Sequence, residues 1–303
     1  MISRRAVPGV LAAGMSWQLP AAGTPLVDTH IHLFDPLQFP YHPSATYKPA
    51  PVPLEPYAQE ARAFGLTSAI VVHPEPYQDD HRYLEYCFAH EPRPGFFKGT
   101  CLFDPLKDDT PARMESLTKK WPGRVVALRI HATERTLELT GPIRERPLAH
   151  PKMSAAWAAA GRLGLAIQMH MIPMHAPAVR RLAEAHPRVP VVIDHLCRMG
   201  QGSAAEYDGV LRLGQMPQTY MKFSGLNYSS KQPPPHTDLA PAIRRIFDAF
   251  SASRIIWGGL GMTAKQYQQQ NAAFESLFSF ANAADRQMIR GGNATRLYRL
   301  KAL

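Results

Sequence analysis

Eight short apolar runs alternate with helical patterns from residue 25 onward, and this repeat limits the possible folds more than any other feature of the chain. Strands formed by unbroken apolar runs are usually buried on both faces, as in a parallel sheet covered by helices. The predicted strands cover residues 27–34, 67–73, 96–103, 125–131, 165–171, 189–196, 219–226 and 254–259.

The segments between the predicted strands carry apolar residues three and four positions apart, which is typical of amphipathic helices. Eight such units predict an α/β fold, a single-domain (β/α)8 TIM barrel over residues 24–303, with residues 286–300 as an additional C-terminal helix. A doubly wound sheet is the alternative. It is disfavoured because no glycine-rich dinucleotide loop follows the first strand. The predicted helices cover residues 58–64, 81–90, 111–120, 153–163, 176–185, 240–250 and 264–278.

Composition narrows the class of partner. The chain has 303 residues, of which 45% are hydrophobic and 19% charged, as in a soluble globular protein, and it has no membrane-spanning apolar run. The net charge of +10 comes from 34 basic and 24 acidic residues, and the lysines and arginines form no basic arm or basic helix. We therefore expect no nucleic-acid or membrane partner, and attraction of a small anionic substrate instead. Three cysteines that lie far apart and make no CxxC pair argue against a disulfide framework. Nothing in the sequence indicates the oligomeric state.

The first 23 residues form a separate unit. Arg4 and Arg5 precede a short apolar stretch over residues 6–15, and small residues follow at 21–23. This order resembles a twin-arginine export signal and predicts a periplasmic protein. A disordered extension of a cytoplasmic protein is the alternative interpretation, because Pro8 interrupts a weakly apolar stretch.

Four histidines lie near the predicted C-terminal ends of three strands. His30 and His32 belong to the first strand, where a period of two places Asp28 on the same face and the two imidazoles about 7 Å apart. Because these strand ends meet at one mouth of a barrel, we predict that the four histidines are catalytic. Three neutral histidines can hold one divalent metal such as zinc or manganese, and His30, His32 and His170 are the predicted ligands. The predicted catalytic residues are His30, His32, His170 and His195.

Cationic and hydroxyl side chains lie close to the same strand ends. A guanidinium grips a carboxylate with two parallel hydrogen bonds, so these residues suit a small carboxylate or lactone. The predicted substrate-binding residues are Arg129, His131, Lys222, Ser224, Tyr77 and Arg198.

Taken together, these motifs resemble the amidohydrolase superfamily, and within it the branch of dicarboxylate and sugar lactonases and related decarboxylases. The resemblance implies a TIM barrel that hydrolyses a cyclic ester, with His30, His32 and His170 as metal ligands or substrate-positioning groups. Some members of that family carry one divalent metal, and some of its lactonases work without any. The matching segments are 27–36, His170, 193–196, 222–226, 257–258 and 292–297.

One departure from the family pattern bears on the chemistry. Members of the family end strand eight with Trp-Gly-x-Asp, whose aspartate ligates metal and activates water, whereas this chain has Trp257, Gly258, Gly259 and Leu260. Either Leu260 replaces the aspartate or the aspartate is deleted before it. We therefore expect the metal to be weakly bound or absent. Substitute bases are a histidine, Glu75, Asp28 or Asp104, while strand alternation predicts that Asp194 faces away from His195.

The leading hypothesis is a lactonase-type hydrolase that acts on a small anionic cyclic ester at the C-terminal mouth of the barrel. One alternative is a nonoxidative decarboxylase of an aromatic or muconate-type acid. Another is a degenerate barrel that binds a ligand without turnover, as the missing aspartate would allow.

Overall fold

Eight parallel strands form one sheet in which each strand pairs with the next in sequence. The computed structural model describes residues 24–133, 143, 146–261 and 263–301, so the predicted export segment lies outside the described residues. The predicted (β/α)8 fold is confirmed, although most strands are shorter than the sequence indicated. The strands are β1 Val27–Ile31, β2 Ser68–Val72, β3 Phe97–Cys101, β4 Val125–Ala132, β5 Ala166–Met171, β6 Val191–Ile193, β7 Thr219–Phe223 and β8 Ile255–Trp257.

Helices follow every strand. The helix over residues 204–213 was not predicted from the sequence, although Ser203 and Glu206 form a capping box at its start. The predicted C-terminal helix is two helices joined by a π-helical turn, Met288–Gly292. The helices are α1 Leu54–Phe64, α2 Arg82–Ala89, α3 Thr110–Lys120, α4 Pro151–Arg162, α5 Ala176–Ala185, α6 Ala204–Leu213, α7 Ala240–Phe250, α8 Ala264–Leu277, α9 Ala283–Gln287 and α10 Asn293–Tyr298. None of the helices in the described part of the chain has the length and apolar character needed to cross a membrane.

A layer of apolar side chains fills the barrel below the site. Ile70, Val126, Val192 and Ile256 come from alternate strands and are buried in one cluster, to which Tyr298 also belongs. Four side chains from alternate strands form the characteristic interior layer of such barrels. Val192 therefore marks the inward face of β6, and this face also carries the residue two positions further on.

Strands β1 and β8 meet through polar contacts. The Thr29 hydroxyl donates to the carbonyl of Trp257 over 2.6 Å, and the Gly259 amide donates to Asp28 Oδ1 over 2.8 Å. The register of β1 against β2 shifts between Asp28 and Ile31. A shift of this kind changes which side chains share a face, and it separates Asp28 from the histidines that follow it.

A left-handed turn follows β6. Residues 195–198 have φ angles of 55°, 53°, 57° and 46°, a conformation that costs about 1–2 kcal/mol per non-glycine residue. The turn is held by the Cys197 amide, which donates to the Asp194 carbonyl over 2.9 Å, and by the Tyr207 hydroxyl, which donates to the Leu196 carbonyl. It brings both His195 and Arg198 to the mouth of the barrel.

The C-terminal helix α10 is tied to β8 by one buried side chain. The Asn293 amide nitrogen donates to the carbonyls of Ala252 and Ile255 over 2.6 and 2.7 Å. We predict that Asn293→Ala lowers the free energy of unfolding by about 1–3 kcal/mol, because two buried carbonyls lose their donor. Urea denaturation measures this difference, with the exposed Gln269→Ala as control. Equal midpoints for Asn293→Ala and the control would contradict the prediction.

Candidate active site

A cavity of ≈ 560 Å³ opens at the C-terminal ends of the strands. Its volume is that of a small-molecule pocket, and it brings together imidazoles, guanidinium groups and aromatic rings. Three of the four predicted catalytic histidines line it directly. The lining residues are His32, Phe34, Thr46, Tyr47, Pro74, Glu75, Pro76, Arg129, His131, His170, His195, Arg198, Tyr228 and Leu260.

Beneath the cavity, Asp194 is the anion of a buried ionic cluster. Its carboxylate lies 3.0 Å from Lys222 Nζ, 3.4 Å from Arg129 Nε and 3.6 Å from His30 Nδ1. The side-chain amide of Gln168 also donates to it over 3.0 Å. Burial alone would raise the pKa of Asp194, but the positive charge of Lys222, the largest opposing effect, helps hold this pKa well below its usual value.

The inward position of Asp194 corrects the sequence analysis, which placed it away from His195. Asp194 follows the inward-facing Val192 by two residues, so strand alternation turns it into the barrel. His195 joins the same group because its φ of 55° ends the extended conformation there. Gly225 makes room for the ring, since a Cβ at this position would stand 2.6 Å from His195 Nδ1.

Asp28 does not share the face of the two imidazoles, contrary to the prediction from a period of two. It accepts hydrogen bonds from the amides of His30 and Gly259 and from the hydroxyl of Tyr267 in α8. The register shift in β1 separates it from the histidines. Burial raises the pKa of Asp28 to about 7, but the carboxyl is fully enclosed and does not line the cavity.

The hydrogen bonds of His32 and His30 define their tautomers. Because a carbonyl only accepts, the 2.8 Å contact between His32 Nδ1 and the Val72 oxygen places the proton on Nδ1. His32 Nε2 therefore directs a lone pair toward His30 Nε2, which lies 3.2 Å away. In the metal-free protein, His30 donates from Nε2, and its Nδ1 faces Lys222 Nζ at 3.5 Å.

A second imidazole pair lies on neighbouring strands. His131 Nδ1 and His170 Nδ1 are 3.1 Å apart, so in the neutral pair one ring donates to the other. The donating ring then has a lone pair on Nε2, and the accepting ring has Nε2–H. Both Nε2 atoms are buried and lack a hydrogen-bond partner among the described residues. The pair therefore offers one donor and one acceptor to a ligand in the cavity.

All of these histidines are neutral at pH 7. Burial lowers the pKa of His32 to about 3, and it lowers the pKa values of His30, His131, His170 and His195 well below 6.5. The positive charges of Arg129, Lys222 and Arg198 add to the effect of burial. Neutral imidazoles can donate and accept hydrogen bonds or ligate a metal.

The predicted substrate-binding residues divide into two groups. Arg129, His131 and Arg198 line the cavity, and the Arg198 guanidinium lies 3.9 Å from the centre of the Tyr228 ring. The other three lie behind the cavity wall. Lys222 is fully buried beside Asp194, Ser224 hydrogen-bonds His195 Nδ1 over 2.9 Å, and the Tyr77 oxygen accepts from the Asp35 amide over 2.8 Å.

The carboxylates near the barrel mouth differ in whether they line the cavity. Asp104 is paired with Arg146, whose Nη2 donates to it over 2.5 Å. Leu260 lines the cavity three residues after the end of β8. Among the lining residues that the structure describes, only Glu75 carries a carboxylate.

The donor set fits a divalent metal at the edge formed by His30 and His32. Their Nε2 atoms converge, and His32 donates its other ring proton to a backbone carbonyl, as metal-ligating histidines commonly do. Donor atoms of His30, Asp194 and His195 also lie within 4.8 Å of one another. There, however, the Lys222 ammonium already neutralises Asp194, so a cation at that position competes with a buried positive charge.

Aromatic side chains of the cavity were not predicted individually. Tyr47 lies in the long loop after β1, Phe34 at its start, and Tyr228 in the loop after β7. In the sequence, residues 35–57 and 227–238 are long loops after strands one and seven, and such loops commonly build the pocket of a barrel, but loop residues have no periodicity that shows which side chains turn inward.

Comparison with known proteins agrees with this geometry. A family model described as amidohydrolase matches residues 27–300. The chain belongs to the amidohydrolase family. The predicted membership is thereby confirmed.

Two curated relatives of this amidohydrolase are hydrolases of lactones. The L-fucono-1,5-lactonase of Burkholderia ambifaria is 29% identical over 252 residues, which cover 78% of this chain and 81% of the relative. The 4-sulfomuconolactone hydrolase of Hydrogenophaga intermedia is 25% identical over 237 residues, which cover 76% and 72%.

Solved structures show the same fold. A candidate 2-pyrone-4,6-dicarboxylic acid hydrolase from Acinetobacter baumannii, with citric acid bound, has a TM-score of 0.73 at 18% identity. The match covers 91% of this chain and 99% of the other.

The neutral histidines predict acid lability. Seven buried histidines remain unprotonated in the folded protein below pH 6.5, whereas the same side chains bind protons in the unfolded chain. The free energy of unfolding therefore decreases as the pH is lowered. Asp28, whose pKa is raised to about 7, opposes this with one proton, because its contribution grows as pH falls from 7 toward 4. Each proton is worth about 1.4 kcal/mol per pH unit.

Urea denaturation between pH 7 and 5.5 measures the slope. We expect a smaller slope in His73→Gln, because burial lowers the pKa of His73 to about 4 and the variant removes this proton site. Unfolding that is independent of pH in this window would show that the histidines are not held neutral.

A second prediction concerns the metal. With Leu260 in place of an anionic ligand, and with Lys222 and Arg129 beside the histidines, a divalent cation meets uncompensated positive charge. We expect less than one equivalent after dialysis against a chelator, measured by elemental analysis. One full equivalent of zinc or manganese retained through this dialysis would refute the expectation.

Proposed function

We propose that this amidohydrolase is a lactonase-type hydrolase that opens a small anionic cyclic ester in the cavity at the barrel mouth. The names of both curated relatives support this reaction class. The observation that carries the proposal is the pair of buried, unpartnered Nε2 atoms of His131 and His170, beside the guanidinium groups of Arg129 and Arg198.

The guanidinium groups account for the anionic substrate. Arg129 is buried in the wall against Asp194, while Arg198 is stacked on Tyr228, so both are held in place before a ligand arrives. A positioned guanidinium binds a carboxylate with little further loss of side-chain entropy. The aromatic rings of Phe34 and Tyr228 supply apolar walls for a ring-shaped substrate.

The imidazole pair accounts for the ester. The ring of the pair that carries Nε2–H can donate to the lactone carbonyl oxygen, on which negative charge develops when water adds. A preorganised donor of this kind contributes typically 10²–10³-fold to kcat. The lone pair on the other Nε2 can accept a hydrogen bond from the water and orient it.

A divalent metal would be held by His30 and His32, whose Nε2 atoms converge. When bound, a metal of this type polarises the carbonyl and lowers the pKa of water. The residues of the chain provide the remaining functions, which are to bind the carboxylate, orient the ester and exclude bulk water from a partly enclosed cavity.

The test is a screen of small lactones, with and without a carboxylate, by pH-stat. We expect hydrolysis by the wild type, a preference for anionic lactones, and a loss of at least ~100-fold in kcat for His170→Ala because a preorganised donor is lost. His90→Ala on the exposed end of α2 is the control.

Two outcomes contradict the proposal. Equal background rates for wild type and His170→Ala on every lactone would exclude lactone hydrolysis of this kind. Release of carbon dioxide from aromatic or muconate-type acids, without ring opening of any lactone, would favour the decarboxylase alternative.

A further inference from the structure

We propose that Glu75 is the general base of this amidohydrolase and takes the place of the carboxylate that strand eight lacks. This inference rests on the proposed lactone hydrolysis. It concerns the group that activates water, for which the family pattern provides an aspartate at the position of Leu260.

The other carboxylates near the site do not line the cavity. Asp194 is enclosed by Lys222 and Arg129 below the cavity floor. Asp28 is directed to Tyr267 and the amide of Gly259, and Asp104 is paired with Arg146. Each of these groups would have to break buried contacts before it could reach a water molecule in the cavity.

Glu75 lines the cavity together with three of the predicted catalytic histidines, and it is half-buried there. Burial lowers the pKa of Arg129, and Glu75 lies close enough to oppose this in part, next to the larger effect of Asp194. The carboxylate is thus on the side of the cavity where the cations would bind an anionic substrate. Its partial exposure keeps it in reach of water.

The backbone that carries Glu75 is rigid. The residue begins a 3₁₀ turn, Glu75–Tyr77, directly after β2, and prolines precede and follow it. The carbonyl of Glu75 accepts from both the backbone amide and the side-chain amide of Gln78 over 2.8 Å. Because Val72 also accepts from His32, the end of β2 is fixed to the histidines of β1.

In the proposed step, Glu75 accepts one proton and later returns it. Glu75 accepts a proton from water as the water oxygen bonds to the lactone carbonyl carbon. The ring C–O bond then breaks, and the protonated Glu75 returns its proton to the departing ring oxygen. The product is an open-chain hydroxy acid, and the carboxylate is regenerated without any other reactant.

Position 260 offers an internal comparison. Leu260 has a φ of 49°, in the left-handed region that Leu adopts rarely and Asp more readily. The side chain at this position faces the same cavity as Glu75. Glu75 follows β2 and Leu260 follows β8, so Leu260→Asp places a carboxylate across β1 from Glu75. The backbone there is compatible with the substitution.

The experiment measures kcat for lactone hydrolysis in five variants and the wild type. We expect a loss of ~100- to 10,000-fold for Glu75→Gln, the range of a general base, and a smaller loss for Glu75→Asp. Formate should restore at least ~10-fold to the cavity variant Glu75→Ala, and Leu260→Asp should restore activity to Glu75→Gln. Glu115→Gln, an exposed change on α3, is the matched control.

The outcomes separate this inference from the proposed function. An active wild type with an equally active Glu75→Gln overturns the role of Glu75 and leaves lactone hydrolysis standing. If Glu75→Gln loses activity, Leu260→Asp does not restore it, and formate does not restore activity to Glu75→Ala, then Glu75 has a structural role. This result also overturns the inference. An inactive wild type overturns both proposals.

Discussion

The buried pair of Asp194 and Lys222 is the interaction on which the site depends. Both side chains are fully buried at 3.0 Å, and either charge left alone at this depth would cost several kcal/mol. The pair also orients His30, which faces both partners through Nδ1. With Arg129 as a second cation on Asp194, the cluster has a net positive charge directly below the cavity.

This positive charge explains two properties that would otherwise be separate. Its cations Arg129 and Lys222 add to burial, which is the largest cause, in lowering the pKa values of His32 and His195, so that both rings remain neutral donors and acceptors. It also favours an anionic ligand over a cationic one. A site in which protein cations lie beside neutral histidines has less affinity for a metal cation, and strand eight adds no carboxylate to compensate.

The sequence predicted the barrel because apolar strand patterns, helical periodicity and their eightfold order agree. It also predicted the histidines of the site, since the ends of parallel strands must meet at one mouth. It was wrong about Asp28 and Asp194, because a regular period of two ignores the register shift in β1 and assumes the wrong inward face of β6. Neither the register shift in β1 nor the inward face of β6 can be recognised from the local amino-acid composition.

The roles of single side chains were less predictable. Lys222 and Ser224 were predicted to bind substrate, but they contact His30 and His195 from behind instead of lining the cavity. Distance from the cavity depends on the depth at which each strand ends, and strand ends are the least certain part of a sequence-based assignment. Helix α6 was not predicted, although its capping box is complete and Tyr207, Val210 and Leu213 form a buried face three residues apart.

The central claim is that burial, together with the cations below the cavity, keeps the imidazoles of the site neutral, and that the Val72 carbonyl fixes the tautomer of His32. Nitrogen-15 NMR of histidine-labelled protein, assigned with His30→Gln and His32→Gln, observes this directly. The account predicts that His32 carries its proton on Nδ1 and remains neutral at pH 5.5, since burial lowers its pKa to about 3. A His32 signal that titrates near pH 6.5, or that shows the proton on Nε2, would contradict it.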